Sequence, residues 1–317
     1  MKKNNYCTLF DSNYLTRGLA MYESLNKYSC DFHLYIFAFD DKSFNLLTEL
    51  YLSNVTIISL LEFEDDDLLK IKQGRSAGEY CWTCTPSIIK YSIETYDLTN
   101  CTYLDADLYF FSNPVVLIEE MGDKSVLITP HRYTQEYDQS ATSGIYCVQF
   151  MTFKNDENGM KILNWWRNSC NDWCYARFED GKFGDQKYLD DWTSRFTGVH
   201  VLENLGGGVA PWNIQQYNLS KQEFKLVFYH FHNFKFLEND MLEFGDYKLS
   251  KYNINKLYKP YIQHLDGITK KLKRIDSKND YNGVLKKQPF YWKTKLQSLR
   301  RLFTGTYNVF KKIELIG

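Results

Sequence analysis

The chain has no apolar run near the ~18 residues that a membrane-spanning helix requires, which excludes a helical span. Its opening, Met1-Lys2-Lys3-Asn4-Asn5, leads into a short strand-like stretch and not into the apolar core and cleavage site of a secretory signal. Cysteine occurs eight times in 317 residues, scattered and without the dense spacing of a disulfide scaffold. Internal repeats and low-complexity stretches are absent, which excludes solenoid and linker architectures. No phosphate-binding loop of the P-loop type exists, because Gly206-Gly207-Gly208 is not followed by Lys and Ser or Thr. No recognised nucleic-acid module is present either. These absences predict a cytoplasmic protein with reduced thiols.

What is present is a chain long enough for one domain of ~250 residues plus an appendage. Aromatic residues make up 17% of it, with 25 Tyr and 22 Phe. AT-rich coding, which also raises Lys and Asn, and a ligand-facing aromatic surface both produce such a composition. The net charge of −1 conceals an asymmetry. From Lys256 to Gly317 there are 15 Lys and Arg against 4 Asp and Glu, a net of +11, so the remainder, with 23 basic and 35 acidic residues, carries −12. A basic terminal segment suits an anionic partner.

Hydrophobic periodicity predicts strands over Tyr6–Phe10, Phe32–Phe39, Val55–Ser59 and Cys101–Leu104. Helices are predicted over Asn13–Tyr28, Lys42–Leu52 and Ser87–Tyr96, the last with Pro86 in its first turn. This alternation implies a mostly parallel sheet covered on both faces. The later strands, Ser125–Thr129, Gly144–Phe153, Val199–Leu202 and Lys225–Phe231, with a helix over Gly159–Trp173, make a mixed second half. The expected division is residues 1–250 as one domain and 251–317 as a basic, helical extension.

The strongest local signal is Thr102-Tyr-Leu-Asp-Ala-Asp-Leu-Tyr-Phe-Phe111. A hydrophobic strand ends in two carboxylates, Asp105 and Asp107, at i and i+2, which point to one side of an extended backbone. Ligands of open α/β sheets bind at such strand ends. Two acidic groups there suit Mg²⁺ or Mn²⁺ bridging to phosphates, while aspartates that merely cap a turn are the plain alternative. Thr83 and Thr85 precede the helix predicted at Ser87, where they either meet a phosphate or ribose or act only as caps.

Together with three other motifs, this segment resembles the GT-A glycosyltransferases, most closely the family-8-like bacterial enzymes of lipopolysaccharide and capsule synthesis. Phe10-Asp11-Ser12-Asn13-Tyr14 is similar to the family's nucleotide-contacting turn, and Tyr103-Leu-Asp-Ala-Asp107 to its D-x-D. Gly184-Asp185-Gln186 looks like its D-Q, and His230 like its late metal-completing histidine. The matches span residues 6–236. There are departures: His230-Phe-His-Asn-Phe-Lys235 lacks the family's late Gly, Pro and Trp and brings Lys235 one residue closer to the histidine, and Cys147-Val148-Gln149 replaces its N-x-G.

The resemblance implies a GT-A fold, with a Rossmann-like nucleotide-binding half and a mixed-sheet acceptor half. It implies a metal-dependent hexosyltransferase, retention favoured, that moves a sugar from a nucleotide-sugar, UDP-linked, to a hydroxyl of a saccharide or lipid-linked saccharide in bacterial surface polysaccharide synthesis. Asp105, Asp107 and His230 would hold Mn²⁺ or Mg²⁺. Asp11, Asn13, Thr83, Thr85, Asp105, Ala106 and Lys235 would meet the nucleotide, and Asp185 and Gln186 would act beside the donor sugar. A nucleotidyltransferase of the same fold is one alternative, although Phe10–Arg17 offers only Arg17 for its basic loop; a non-catalytic sugar- or nucleotide-binding protein is another.

Some residues keep two readings. His232 shares a strand face with His230 and is either a second ligand or a core histidine. Asp185 either faces the sugar or caps a helix over Gln186–Trp192. Gly206–Gly208 either allow close ligand approach or connect strands. Cys81/Cys84 have C-x-x-C spacing, but the i, i+4 spacing of Cys170/Cys174 is atypical of a structural zinc site and nothing in the sequence brings the two pairs together. In the basic segment, Lys270–Arg274 and a helix over Lys293–Phe303, with Leu296, Leu299 and Phe303 on one face, fit either a peripheral hold on an anionic membrane or packing against the catalytic domain.

Overall fold

The computed structural model describes residues 3–29, 31–221, 224–286 and 299–316. The first half runs β1 (Asn4–Phe10), α1 (Leu15–Tyr28), β2 (Phe32–Ala38), α2 (Asp41–Glu49), β3 (Val55–Ser59), α3 (Leu60–Phe63), α4 (Asp66–Lys72), α5 (Ala77–Thr95) and β4 (Asn100–Leu104). There follow β5 (Leu108–Phe110), α6 (Val115–Glu119), β6 (Val126–Pro130), α7 (Ser140–Ser143), β7 (Tyr146–Lys154), α8 (Glu157–Asp172), α9 (Trp192–Arg195) and β8 (Val199–Val201). The last part holds β9 (Phe228–His230), β10 (Lys235–Leu237), β11 (Met241–Glu243), α10 (Lys251–Asn253), α11 (Lys259–Ile275) and β12 (Val309–Lys311).

Seven strands form one sheet in the order β3-β2-β1-β4-β7-β6-β8. The pairs β3–β2, β2–β1, β1–β4 and β6–β8 are parallel, and β7 runs antiparallel to both β4 and β6. This is the predicted α/β architecture, with a parallel half and a mixed half. The central strands are apolar on both faces, as burial on both sides demands. In β1, Tyr6 and Phe10 enter one core with α1 and α11, while Cys7 and Leu9 enter the other with α5 and α8. Gly18 permits that packing: a Cβ there would stand 2.3 Å from the ring of Phe10.

One predicted boundary is corrected. The helix before β4 begins at Ala77 and not at Ser87, because Ser76 and Glu79 form a reciprocal capping box that starts it earlier. Pro86 lies inside this helix, where its missing N–H leaves one turn without its usual bond.

The basic segment is tied to the rest of the chain. In α11, Tyr261, Ile262, Leu265, Ile268 and Leu272 are buried in the α1-side core. Buried Arg17 donates to the carbonyls of Asn13, Phe234 and Asn282, and Thr16 Oγ1 donates to Asn282 Oδ1. Beyond it, β12 extends the β10–β11 pair, and Arg301 bridges Glu243 and Asp246. Of the helix predicted over Lys293–Phe303, Lys293–Ser298, Leu296 included, lie outside the described residues; residues 299–304 are helical and leave Leu299, Leu302 and Phe303 exposed. No helix among the described residues is long and apolar enough to cross a membrane.

Candidate active site

Asp105 and Asp107 sit where the chain leaves the carboxyl end of β4 and enters β5. The Asp105 N–H donates to the Gln149 carbonyl of β7, and the Leu108 N–H closes a turn on the Asp105 carbonyl. β5 then pairs with β9, setting Leu108 opposite His230, and the Phe231 N–H donates to the Asp107 carbonyl. Two stretches more than a hundred residues apart are thus locked in register by backbone bonds. The result is a cluster in which one ligand atom from each of Asp105, Asp107 and His230 lies within 4.8 Å of the others. His230 Nε2 is 3.1 Å from Asp107 Oδ1 and 3.6 Å from Asp105 Oδ2.

The electrostatics of this trio are strained. Burial pushes the Asp105 carboxyl up, to about 6; His230 pulls it back, Asp107 reinforces the rise, and the Tyr103 hydroxyl, donating at 2.8 Å, opposes it. Burial also works against an ionised Asp107, but the charge and hydrogen bond of His230, then His232 and Arg17, hold it below the usual carboxylate range. Burial alone would lower the His230 imidazole; Asp107, Cys147 and Asp105 outweigh it and raise His230 well above the usual range. Two carboxylates facing one imidazole form a donor set of hard oxygens and one nitrogen, which suits a divalent cation. Among the described residues, no other group of His, Cys, Asp and Glu has metal-ligating geometry, and the Cys81/Cys84 and Cys170/Cys174 pairs form none.

The cluster lies in a cleft of about 660 Å³. On one side is the turn after β1, where Asp11 accepts from the backbone of Asn13 and Tyr14 and from the Asn13 amide. Asp11 and Tyr14 line the cleft; Asn13 is exposed and does not. Asp105, Ala106, Asp107, His230 and Lys235 line it, as does His232, which burial and His230 hold down at about 4. Thr85 also faces it, from the interior of α5, whereas Thr83 is buried, donates to the Glu79 carbonyl and is absent from the lining. The helix terminus predicted beside these threonines is ten residues upstream, so neither is a cap.

Asp185 is 5% exposed and lines the cleft beside Gln186. Burial, with the Asp105 charge added, pushes its carboxyl up to about 8, while backbone N–H groups and Thr85 oppose the shift. It does not cap the following turn, which starts with Gln186 in the cap position and is a 3₁₀ turn over Lys187–Asp191 leading into α9. Gln186 instead donates to the Ser143 carbonyl at 2.7 Å. Gly206–Gly208 are not in the lining: a Cβ on Gly206 would meet the Lys225 carbonyl oxygen at 2.1 Å, so these glycines serve chain packing.

The sequence did not single out the aromatic wall. His131 and Tyr133, just past β6, stack at 4.5 Å, and Trp212 stands edge-on to His131, His230 and His232. In a chain this rich in aromatics, position just past a strand end was the one available signal.

No family model matches the sequence. Two proteins of Bacillus subtilis (strain 168), both described only as uncharacterized, are similar along most of their lengths. YfnD is 30% identical over 281 residues, covering 84% of this chain and 89% of its own. YfnF is 27% identical over 299 residues, covering 89% and 97%. Among solved structures, the glycosyltransferase GlyE of Streptococcus pneumoniae TIGR4 superposes with a TM-score of 0.51 at 13% identity over 84% of this chain. The bifunctional glycosyltransferase WbbM superposes with a TM-score of 0.50 at 11% identity over 83%. This chain spans only 60% of the GlyE chain and 50% of the WbbM chain. At such identities the likeness is one of fold, a GT-A-like glycosyltransferase fold.

Proposed function

The chain belongs to the family of Bacillus subtilis YfnD, and we propose that it is a metal-dependent glycosyltransferase moving a sugar from a nucleotide-sugar, UDP-linked, to a hydroxyl acceptor. The observation that carries this reading is the Asp105–Asp107–His230 cluster, set at a central strand's carboxyl end in the cleft of a glycosyltransferase-like fold. Asp105, Asp107 and His230 hold Mn²⁺ or Mg²⁺, which when bound offsets charge on the donor's diphosphate as a Lewis acid.

The remaining roles follow from position. Asp11 and Tyr14, at the β1 side of the cleft, hold the base and ribose, with Asn13 fixing the Asp11 carboxylate. Lys235 lies in the same lining as a cation for phosphate. Asp185 and Gln186 face the donor sugar. A carboxyl kept protonated near neutral pH donates a hydrogen bond to a sugar oxygen, which is the service Asp185 offers. Retention at the anomeric carbon is the stereochemistry we favour. We take residues 1–250 as the catalytic unit and 251–317 as an extension bracing it. We place the enzyme in the bacterial cytoplasm, making surface polysaccharide, with exposed Lys273 and Arg274 of α11 available to an anionic membrane face.

The test is calorimetric titration of the chain with UDP-sugars, with Mn²⁺ and with EDTA, followed by a screen for donor hydrolysis and transfer. Metal-dependent binding and turnover support the reading. Metal-independent binding, or binding without turnover of any donor, would replace it with a non-catalytic binding protein.

A further inference from the structure

Trp82 projects from α5 at the rim of the cleft and is 36% exposed. Its ring centroid lies 6.3 Å from that of half-buried Phe183, with the planes inclined at 40°. Phe183 arrives on a separate element, the loop between α8 and the 3₁₀ turn at Lys187. Gly184, the next residue, turns the loop beside the indole. A Cβ on Gly184 would touch the Trp82 ring at 3.4 Å, and its φ of +52° is one that side-chained residues rarely adopt. Other rings nearby are covered: Arg75 and Arg177 lie over Tyr175, and Lys182 over Trp173. Trp82 and Phe183 face the cleft.

Two rings left partly open to water at a cleft mouth offer apolar surface that a ligand can cover. The next residues inward are polar: Asp185 and Gln186. An aromatic platform beside a few fixed polar groups matches a pyranose, which presents an apolar C–H face and a rim of hydroxyls. The groups assigned above to the metal and the donor sugar, His230 and Asp185, are each 5% exposed, and the exposed Tyr14 is taken by the nucleotide, so the rings of Trp82 and Phe183 are left for the second substrate.

We propose that Trp82 and Phe183 form the acceptor platform, seating the apolar face of an acceptor pyranose at the cleft mouth. The inference rests on the donor-site reading. Held there, an acceptor hydroxyl faces the donor's anomeric carbon. Its oxygen forms the new bond to that carbon as the bond to the diphosphate oxygen breaks. The electron pair leaves with the nucleoside diphosphate, which takes up the hydroxyl proton.

The experiment uses the full chain, its UDP-sugar donor and a panel of p-nitrophenyl hexopyranosides as acceptor probes. The wild type should transfer to at least one of them. Trp82→Ala should raise that probe's half-saturating concentration at least tenfold and leave the donor's within twofold, while Trp82→Phe, which keeps a ring, should stay within threefold of the wild type. Phe183→Ala should act as Trp82→Ala does. Equal response of wild type and Trp82→Ala overturns the platform, and so do a shift in donor affinity and a wild type indifferent to the whole panel. Failure of the donor reading is separate and shows first, as a wild type that neither binds nor hydrolyses any nucleotide-sugar.

Discussion

Asp185→Asn is the sharpest probe of the cleft's electrostatics. The Asp185 carboxyl is buried near Asp105 and keeps its proton up to about pH 8, whereas in the unfolded chain it ionises near ~3.9. Between those values the folded state binds the extra proton. Its folded pKa is raised, so its contribution to stability is full below ~pH 4 and is lost as pH climbs towards 8. At ~1.4 kcal/mol per pH unit, the whole window of about four units amounts to an upper bound of about 6 kcal/mol. Asparagine keeps the shape and removes the titration. Urea unfolding followed by circular dichroism, in EDTA so that no cation pulls the carboxylate down, should give similar stabilities at pH 4.5. By pH 8.5 the variant should be the more stable protein, by at least ~2 kcal/mol. Curves that stay parallel across the range, or a wild type that gains on the variant as pH rises, would refute the burial argument.

Asp107→Ala should weaken Mn²⁺-dependent UDP-sugar binding at least ~100-fold while leaving the circular dichroism spectrum unchanged, since it removes the carboxylate bonded to His230; wild-type-like titration would disprove the ligand assignment. Gly18→Ala should destabilise by about 1–3 kcal/mol despite alanine's better helix propensity, because its methyl meets the buried Phe10 ring; an unchanged urea midpoint would contradict this. Arg17→Met should cost about 1–3 kcal/mol by leaving the Asn13, Phe234 and Asn282 carbonyls without their donor, and limited proteolysis should then cut sooner near Asn282.

The parallel half was legible because strands buried on both faces are continuous apolar runs and the helices between them have clear periodicity. The Asp105–Asp107 pair was legible for the same reason, since a carboxylate after such a run stands out. His230 needed the resemblance: its tie to Asp107 is a backbone register between β5 and β9, which no local pattern encodes. The start of α5 differs from the one that Pro86 signals because the Ser76–Glu79 capping box, whose Ser76 stands ten residues before Pro86, already begins the helix. Trp82 and Phe183 were invisible, because in a sequence with 17% aromatics only exposure separates a platform from a core.

The β5–β9 ladder also governs when the cluster exists at all. Its carboxylates leave the ribosome long before the imidazole does, and nothing short of complete closure of the intervening chain puts the three side by side. Any cation that favours the assembled trio over the open chain therefore adds to the stability of the closed form, by an amount that grows with the logarithm of its concentration above the dissociation constant. Removing it with a chelator should lower the melting temperature of the whole molecule, and a chain cut before Phe228 should lack that response altogether.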